Sequence, residues 1–357
     1  MPPLISICIP VYNTESTLQR CLNSVAGQTF CDFEIVILND CSTGTDKDGR
    51  TCKKIIHQFK KHIKNHVVYI VHKNNEGIVK TRLDMIYAAR GKYIFMLDSD
   101  DFLDKDALLE LTKPILNCSS GELPDIVQGK SEQFELKNGE VLFLNKPRDS
   151  QVLGIVTLRD IFHYTRVNPP KISSFLWNKL IDREVVLNAL ENVPPVYCTV
   201  AEDLLFFFFI SLCSKLYIGI DFTSYYYCVN TGVTSNVKVE TLDQWESICS
   251  VSSVFTVLFD WCQTQENLTG KPPLEADELN NLRNVAVGYL QKNLQFNKEV
   301  LPELKEDAHK ILEDFWGESL VRRVEAEMKK KYDKNEKTSG GDVCCEERTK
   351  SDKKNET

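Results

Sequence analysis

The first hundred residues alternate between short apolar runs and segments of helical periodicity, and no other feature constrains the fold as strongly. The apolar runs occupy residues 4–9, 33–38, 67–71 and 93–97. Short, nearly continuous apolar runs of this kind are typical of strands that are buried on both faces of a parallel sheet. Because parallel strands need crossover connections and the intervening segments have the helical period, the pattern predicts an α/β fold with a doubly wound, mostly parallel sheet.

Polar residues follow three of the predicted strands. In a doubly wound sheet, ligands bind beyond the carboxyl ends of the strands. The residues at those ends are Pro10, Val11, Tyr12 and Asn13 after the first strand, Asn39 and Asp40 after the second, and Asp98, Ser99, Asp100 and Asp101 after the fourth. We therefore expect a binding site where these loops meet.

Beyond Pro114 the alternation weakens. Asn138-Gly139 predicts a β-hairpin across residues 135–144, because this dipeptide suits a two-residue turn. Further predicted elements are helices at 174–181 and 200–213, strands at 215–220 and 224–229, and a series of helices from 241 to 331. Residues 329–357 include 16 charged side chains among 29 and cannot build a core, so this tail is predicted to be disordered.

Charge and cysteine content limit the partners and the compartment. The formal net charge of −8 argues against binding to nucleic acid or to an anionic membrane surface. The apolar stretch at 204–213 is shorter than the roughly 18 residues of a membrane span, so we expect at most peripheral membrane contact. None of the 13 cysteines forms a C-x-x-C pair, which argues against a zinc ribbon and favours reduced thiols in the cytoplasm.

Asp98 and Asp100 are candidate metal ligands. Carboxylates at positions i and i+2 of a strand end can converge on one hard cation, which can then neutralise a diphosphate leaving group. The pattern D-x-D is short, and a solvated acidic loop ahead of the next helix is the alternative. An EF-hand is excluded because Leu103 and Leu109 occupy the positions of its glycine and its bidentate glutamate.

Three other places could carry a ligand or a proton. Asp40 could accept hydrogen bonds from a base or a ribose, although an Asx-turn is the simpler explanation. Arg82 could hold a phosphate near a helix start, or it could be solvated. Glu202 and Asp203 begin the most apolar helix. Partial desolvation there would raise the basicity of a carboxylate, which suits a general base. The alternative is that these acids only interact favourably with the helix dipole, as acids in a first turn often do.

Taken in order, these segments resemble the family-2 glycosyltransferases, which have the GT-A fold of nucleotide-diphospho-sugar transferases. The segments that carry the resemblance are 6–13, 24–30, 33–43, 75–77, 81–82, 89–93, 97–101, 177–180, 202–206 and 225–227. Several motifs in the right order are a far stronger signal than one D-x-D. The resemblance implies a GT-A domain over residues 1–235. The residues after it match no family, and their periodicity and composition predict a helical extension at 236–328 and a disordered charged tail at 329–357.

The resemblance also implies roles for individual residues. Nucleotide-sugar binding is assigned to Pro10, Val11, Tyr12, Asn13, Glu15, Asp40, Arg82, Asp98 and Ser99. Within that set Asp40 would bind the base, and Asp98 the ribose or the donor sugar. Asp100, with Asp98, would hold Mn²⁺ or Mg²⁺ against the diphosphate, and Asp203 would deprotonate the acceptor hydroxyl. One base opposite the leaving group suffices for a single displacement with inversion.

The implied function is transfer of one sugar from a nucleotide-diphospho-sugar, expected to be a UDP-sugar, to a glycan or lipid-linked glycan. The family's setting implies bacterial surface-polysaccharide or lipo-oligosaccharide assembly, in the cytoplasm or at the inner face of the membrane. The processive signature Q-x-x-R-W is missing, which favours single additions. Two alternatives stay open: a catalytically idle nucleotide-sugar-binding subunit, and a nucleotidyltransferase, which would need a basic, glycine-rich first loop in place of Pro-Val-Tyr-Asn.

Overall fold

The computed structural model of the 357-residue chain describes residues 1–118, 121–137, 140–229 and 239–339. The strands are β1 (Ile5–Val11), β2 (Phe33–Asn39), β3 (Val67–Val71), β4 (Tyr93–Met96), β5 (Phe102–Leu103), β6 (Ile126–Lys137), β7 (Glu140–Phe143), β8 (Gly154–Thr157), β9 (Lys179–Asp182) and β10 (Leu216–Cys228). The helices are α1 (Glu15–Ala26), α2 (Cys52–Lys60), α3 (Ile78–Ala88), α4 (Ala107–Leu116), α5 (Arg159–Arg166), α6 (Arg183–Leu190), α7 (Glu202–Cys213), α8 (Leu242–Cys249), α9 (Val251–Thr269), α10 (Ala276–Phe296), α11 (Lys305–Trp316) and α12 (Glu318–Ser339).

The ten strands form one sheet in the order β3-β2-β1-β4-β9-β6-β10-β5, with β7 paired to β6 and β8 paired to β10. The pairs β1–β2, β2–β3, β1–β4 and β6–β10 are parallel. Strand β9 runs antiparallel between β4 and β6. Six of the ten strands therefore run in one direction, and the predicted α/β fold with a mostly parallel sheet is confirmed.

The four apolar runs of the first hundred residues are β1 to β4. Every residue of β1 and β2 is buried, as expected of central strands covered on both faces. Strand β3 is only half-buried, because it lies at the edge of the sheet. Successive side chains of a strand point to opposite faces, and Ile7 and Cys8 accordingly lie in different hydrophobic clusters. Both faces of the sheet are therefore covered, and the sheet is doubly wound.

The two faces are covered by different helices. One cluster includes residues of α1, α2 and α4, among them Leu18, Ile55 and Leu111. The other cluster contains α7, which is apolar on all sides and therefore buried, and it continues into α9 and α10 through Val254 and Leu282. The core of the sheet domain thus extends without interruption into the helices that come after β10.

Two predicted elements differ from the structure. The helix predicted at 174–181 is a loop that leads into strand β9. Asn178 has a φ of +62°, which ends any helix there, and its side-chain amide donates to the Gly129 carbonyl at 2.8 Å. The two strands predicted at 215–220 and 224–229 are one long strand, β10, whose pairing with β6 shifts register between Gly219 and Tyr225.

The hairpin and the helical extension were predicted correctly. Strands β6 and β7 pair with Lys137 opposite Glu140; the turn residues Asn138-Gly139 lie outside the described residues. Helices α8 to α12 occupy the region predicted to be helical.

The start of the predicted disordered tail is helical, because α12 continues to Ser339. Lysine and glutamate are good helix formers as well as strongly hydrated residues. A charged composition therefore allows a solvent-exposed helix where disorder was predicted. Residues 340–357 lie outside the described part. Among the described helices, none has both the length and the apolar composition of a membrane span.

Candidate active site

The carboxyl ends of β1, β2 and β4 open into a cleft of about 2100 Å³. Most of the residues predicted to form the site line this cleft, as the meeting of parallel strand ends requires. They are Pro10, Val11, Tyr12, Asp40, Arg82, Asp98, Ser99, Asp100 and Asp203. Asn13 and Glu15 are not among the lining residues, so the structure brings together nine of the eleven predicted positions.

Asn13 and Glu15 instead support the loops beneath the cleft. The Asn13 backbone N–H donates to Ser42 Oγ at 3.0 Å, and its side-chain oxygen accepts from the Thr43 N–H at 3.0 Å. Glu15 is 4% exposed, and a Cβ at Gly44 would lie 2.7 Å from its Oε2. These contacts fix the loop after β2 against the loop after β1.

Asp40 lies at the end of β2 and organises the start of α3. Its carboxylate accepts the backbone N–H groups of Glu76 at 2.8 Å and Gly77 at 2.9 Å. His72 Nδ1 lies 2.7 Å from Asp40 Oδ1, and the Nε2 of the same ring lies 2.9 Å from Asp84 Oδ2. Gly77, with a φ of +84°, allows the sharp turn that brings α3 to this edge.

The loop after β4 is held by its backbone, which leaves two of its carboxylates at the cleft. Side chains of α1 donate to its carbonyls: Thr17 Oγ1 to Ser99 at 3.1 Å and Arg20 Nη2 to Asp100 at 2.6 Å. Asp98 and Asp100 line the cleft.

Asp101 faces the opposite way. Its carboxylate accepts from the Tyr225 hydroxyl at 2.6 Å and from the Cys228 N–H at 2.7 Å. The Tyr225 oxygen also accepts from the Asp98 N–H at 3.2 Å. Burial raises the pKa of Asp101 well above its usual value, with Asp100 and Asp98 adding to the shift. Asp101 therefore serves to anchor the loop to β10.

Arg82, on α3, joins three carboxylates that come from different parts of the chain. Its Nη2 lies 3.1 Å from Glu202, 3.4 Å from Asp98 and 3.4 Å from Asp203. Burial alone would lower the pKa of this guanidinium, but Asp203, Asp98 and Glu202 together hold it above its usual value. Arg82 is thus a permanent cation that ties α3, the end of β4 and the start of α7 together.

Asp203 lies in the first turn of α7, against the buried aromatic side chains of that helix. Burial raises the pKa of this carboxyl above its usual range; Arg82 opposes the shift, and Glu202 and Asp98 add to it. Ala201, with a φ of +67°, makes the turn that points the helix start at the cleft. A carboxylate with raised basicity is suited to accept a proton. We call Asp40, Asp98, Asp100, Glu202 and Asp203 the acidic side of the cleft.

The residues of the acidic side fit a divalent cation. Asp98 and Asp100 offer carboxylate oxygens at the cleft surface, the ligand type that Mn²⁺ and Mg²⁺ prefer, and a diphosphate and water could supply the remaining ligands. The described residues that bring three ligand atoms within 4.8 Å of one another are His163, Glu275 and Asp277, which do not line this cleft.

Another part of the cleft, which is rich in aromatic rings, was not predicted from the sequence as a site. The lining rings of Phe175 and Trp177 stack at 4.7 Å between centroids, and Trp177 stacks in turn on the buried Tyr225 behind it at 4.7 Å. The Arg148 guanidinium lies over Phe175 and Tyr227, 5.2 and 4.9 Å from their centroids. Trp177 and Tyr225–Tyr227 belong to segments that carry the family resemblance, but no local pattern singled out Arg148.

Helix α10 also contributes to the cleft, through Tyr289 and Asn293. Burial raises the pKa of Tyr289, the charges of Glu202 and Asp203 raise it further, and Arg148 opposes them. Tyr289 therefore lies within electrostatic reach of Glu202, Asp203 and Arg148. The helical extension forms part of the candidate site.

Comparisons with known proteins agree with this geometry. Residues 6–168 match the family described as Glycosyl transferase family 2. The chain is 28% identical over 186 residues to EpsH of Bacillus subtilis, whose name places it among the glycosyltransferases; the match covers 52% of this chain and 48% of EpsH. It is 39% identical over 128 residues to a poly(ribitol-phosphate) beta-glucosyltransferase of Bacillus spizizenii, covering 35% of this chain and 19% of that protein. The chain thus spans half or less of the length of these curated relatives.

The fold has a counterpart among solved structures. The crystal structure of S. aureus TarS 1-349 in complex with UDP-GlcNAc superposes with a TM-score of 0.53 at 20% sequence identity, covering 92% of each chain. The same protein in complex with UDP gives a TM-score of 0.52. The ordered strand-end loops, the cleft and these matches together lead to one conclusion: residues 6–168 are similar to glycosyltransferase family 2, and the chain has the GT-A fold.

Proposed function

We propose that the protein transfers a single sugar from a nucleotide-diphospho-sugar, a UDP-sugar in the first instance, to a hydroxyl group of a glycan or lipid-linked glycan, with inversion at the anomeric carbon. One observation carries the proposal. Asp203, a carboxylate of raised basicity, faces the same cleft as Asp98 and Asp100, and Arg82 contacts both Asp203 and Asp98. A proton acceptor and an oxygen-rich cation site beside each other are what displacement of a diphosphate requires.

The donor would bind along the acidic side. The half-exposed ring of Tyr12 and the walls formed by Pro10 and Val11 offer an apolar surface at the end of β1. The carboxylate of Asp40 already holds two backbone N–H groups rigidly, so its remaining lone pairs could accept from a base. Support for a UDP-sugar comes from TarS, a protein of the same fold whose structure contains UDP-GlcNAc.

Asp98 and Asp100 would hold Mn²⁺ or Mg²⁺. When bound, the cation would stabilise negative charge on the departing diphosphate. Arg20, Thr17 and Tyr225 hold the loop backbone in place, so its carboxylates need little rearrangement to bind. Ser99, whose Oγ lies 2.8 Å from Thr14 Oγ1, ties this loop to the end of β1.

Asp203 would act as the general base. It would take the proton from the acceptor hydroxyl as that oxygen attacks the anomeric carbon, on the face opposite the leaving diphosphate. Arg82 would keep the carboxylate oriented, and the charge of Glu202 would keep it basic. A single base on one side of the sugar accounts for inversion without a covalent intermediate.

The biological setting that we propose is bacterial surface-polysaccharide or lipo-oligosaccharide assembly, with the enzyme in the cytoplasm or peripherally at the inner face of the membrane. Support comes from the relative named for poly(ribitol phosphate) and from a 40% identity over 106 residues to a chondroitin synthase of Pasteurella multocida, a match that covers 30% of this chain and 10% of that protein.

The test measures nucleotide release from UDP-, GDP- and dTDP-sugars, with and without Mn²⁺, by the wild-type protein and by Asp203→Asn and Asp100→Ala. We expect metal-dependent release from one donor class and its loss in both variants. Glu110→Gln is the matched control, because Glu110 is an acid of α4 that does not line the cleft. If the wild type binds a nucleotide-sugar yet releases no nucleotide with any acceptor, the alternative of an idle nucleotide-sugar-binding subunit is correct.

A further inference from the structure

Another part of the cleft lining contains two arginines, Arg148 and Arg166, that have no carboxylate partner among the described residues. We define the cationic side as Arg148, Arg166 and the loop residues Ser173, Ser174 and Phe175, all of which line the cleft. Resting on the proposed function, we propose that the cationic side binds an anionic group of the acceptor, so that the acceptor is a glycan bearing phosphate or carboxylate groups.

Arg166 is the strongest observation. It is 3% exposed, and its guanidinium donates to Ser174 Oγ at 2.9 Å and to Thr165 Oγ1 at 2.9 Å. Among the residues that the structure describes, no carboxylate oxygen lies within 4.0 Å of it. Glu278, the carboxylate whose charge it senses, is already paired with Arg159 and His163. Burying a cation with only neutral partners is unfavourable, and an anion arriving in the cleft would relieve that cost.

Arg148 lies near the same loop. Its guanidinium stacks over Phe175, the residue next to the Ser174 that Arg166 contacts. Within the described ranges it too has no carboxylate partner, whereas Arg82, the arginine of the acidic side, has three. A guanidinium whose face rests on rings keeps its N–H edge available for a planar or tetrahedral anion.

The loop itself is rigidly placed beside the proposed base. The buried Lys179 Nζ donates to the Phe175 carbonyl at 2.6 Å and to Ser173 Oγ at 3.3 Å. The same ammonium lies over the ring of Phe207, 5.0 Å from its centroid. Phe207 is four residues after Asp203 on α7 and hence on the same face of that helix. The cationic side therefore borders the place where an acceptor hydroxyl would meet Asp203.

The chemistry of the acceptor can be inferred from this arrangement. The acidic side repels an anionic acceptor unless cations neutralise the charge of that acceptor, and the cationic side supplies two guanidinium groups in the same cleft. An acceptor sugar could stack on Phe175 and Trp177 while its phosphate or carboxylate meets the two guanidinium groups. A neutral glycan would lack the second set of interactions.

The experiment compares three probes of similar size: a short poly(ribitol phosphate), a hyaluronan octasaccharide and neutral maltooctaose. Binding to the full chain, saturated with UDP and Mn²⁺, is measured by titration calorimetry. We expect one charged probe to bind at least about tenfold more tightly than maltooctaose, since one charge-assisted hydrogen bond corresponds to roughly that factor. The charged probe that binds more tightly identifies phosphate or carboxylate as the recognised group.

Four variants assign the effect to residues. Arg148→Gln and Arg166→Gln should each weaken binding of the charged probe about tenfold and leave the affinity for maltooctaose unchanged. Arg166→Lys keeps the buried charge and should retain most of the affinity, which guards against misfolding of Arg166→Gln. Lys171→Gln is the matched control, because Lys171 is an exposed cation of the same segment that does not line the cleft.

Equal binding of all three probes, binding of none, or wild-type affinity of both glutamine variants for the charged probe would overturn the inference. Release of nucleotide from a UDP-sugar, which needs no acceptor beyond water, separates this inference from the proposed function. If that release occurs while charge selectivity is missing, only the acceptor inference fails. If charge selectivity is present and no donor is turned over, the proposed function fails instead.

Discussion

The two walls of the cleft satisfy their charges in different ways. On the acidic side, Arg82 contacts three carboxylates, and Asp40 is held by two backbone N–H groups and His72. On the cationic side, Arg148 and Arg166 rest on aromatic rings and hydroxyl groups, and no described carboxylate pairs with them. The acidic side is thus organised before any ligand arrives, whereas the two arginines of the cationic side have no carboxylate partner in the part of the chain that the structure describes. If the proposed function is correct, donor chemistry and acceptor recognition are therefore built by separate means.

The largest effect should come from Asp203→Asn. Removing the proton acceptor should lower single-turnover transfer by about 10²–10⁴-fold, while UDP affinity stays near the wild-type value. Glu202→Gln, its neighbour on the same helical turn, is the control and should retain most of the rate. Arg148→Gln should leave nucleotide release at the wild-type rate, in contrast to Asp203→Asn. That result would show that the acidic and the cationic side have different functions. A similar loss of release in all three variants would contradict that separation.

Arg82→Gln should destabilise the fold strongly. The Arg82 side chain is 3% exposed and contacts three carboxylates, so removal of the charge leaves them uncompensated. Breaking a buried ion pair by removing one partner costs about 3–5 kcal/mol, to be measured by urea unfolding.

Arg322→Gln is the matched control, since Arg322 and Glu318 form an exposed ion pair on α12. Such a pair should contribute less than about 1 kcal/mol to the free energy of unfolding. Arg166→Gln tests the comparison between the acidic and the cationic side. Because no described carboxylate is left unpaired, this substitution should lower the free energy of unfolding by less than Arg82→Gln does. An equal loss of unfolding free energy in Arg166→Gln and Arg82→Gln would mean that the cationic side is as tightly paired as the acidic side.

A smaller loss of stability is expected from Tyr225→Phe. The hydroxyl of Tyr225 donates to the buried Asp101 at 2.6 Å and accepts from the Asp98 N–H at 3.2 Å. Leaving a buried acceptor unsatisfied costs about 1–3 kcal/mol, seen as a lower urea midpoint, and the looser loop should also raise the Mn²⁺ concentration needed for activity. Tyr226→Phe, on the same strand with its ring stacked on Phe102, is the control.

The smallest effect concerns pH. Asp203 must be ionised to accept a proton, and burial raises its pKa, so activity should fall as the pH drops through a value above the ordinary carboxyl range. Since the charge of Glu202 contributes to that raised pKa, Glu202→Gln should move the acid limb of kcat/KM to lower pH. An acid limb that stays in place in Glu202→Gln would remove Asp203 as the titrating group.

The acidic side could be predicted from the sequence and the cationic side could not. Pro10, Asp40, Asp98 and Asp100 lie at the ends of apolar strands, and parallel strands bring their ends to one edge. Arg148, by contrast, lies in a connection without secondary structure, and Arg166 ends a short helix. Their neighbours Phe175 and Tyr289 come from distant parts of the chain, and only the folded core brings them to one cleft.

Errors in the predicted elements have a related cause. Residues 174–181 have a helix-like apolar spacing, but pairing of β9 with β4 and β6 outweighs local preference. Glu15 has the right sequence position for the cleft and is nevertheless turned beneath the loop at Gly44. In each case a tertiary contact decides an outcome that the local sequence leaves open.

The hydrophobic cluster that passes from the sheet through α7 into α9 and α10 has a practical consequence for protein engineering. A chimera that joins this sheet to the C-terminal region of another protein of the same fold cannot be spliced after β10. Such a splice would expose apolar side chains of α7 to water and remove the part of the cleft lining that α10 supplies, which includes Tyr289 and Asn293. A workable splice has to keep α9 and α10 with the sheet and exchange only the residues beyond α10.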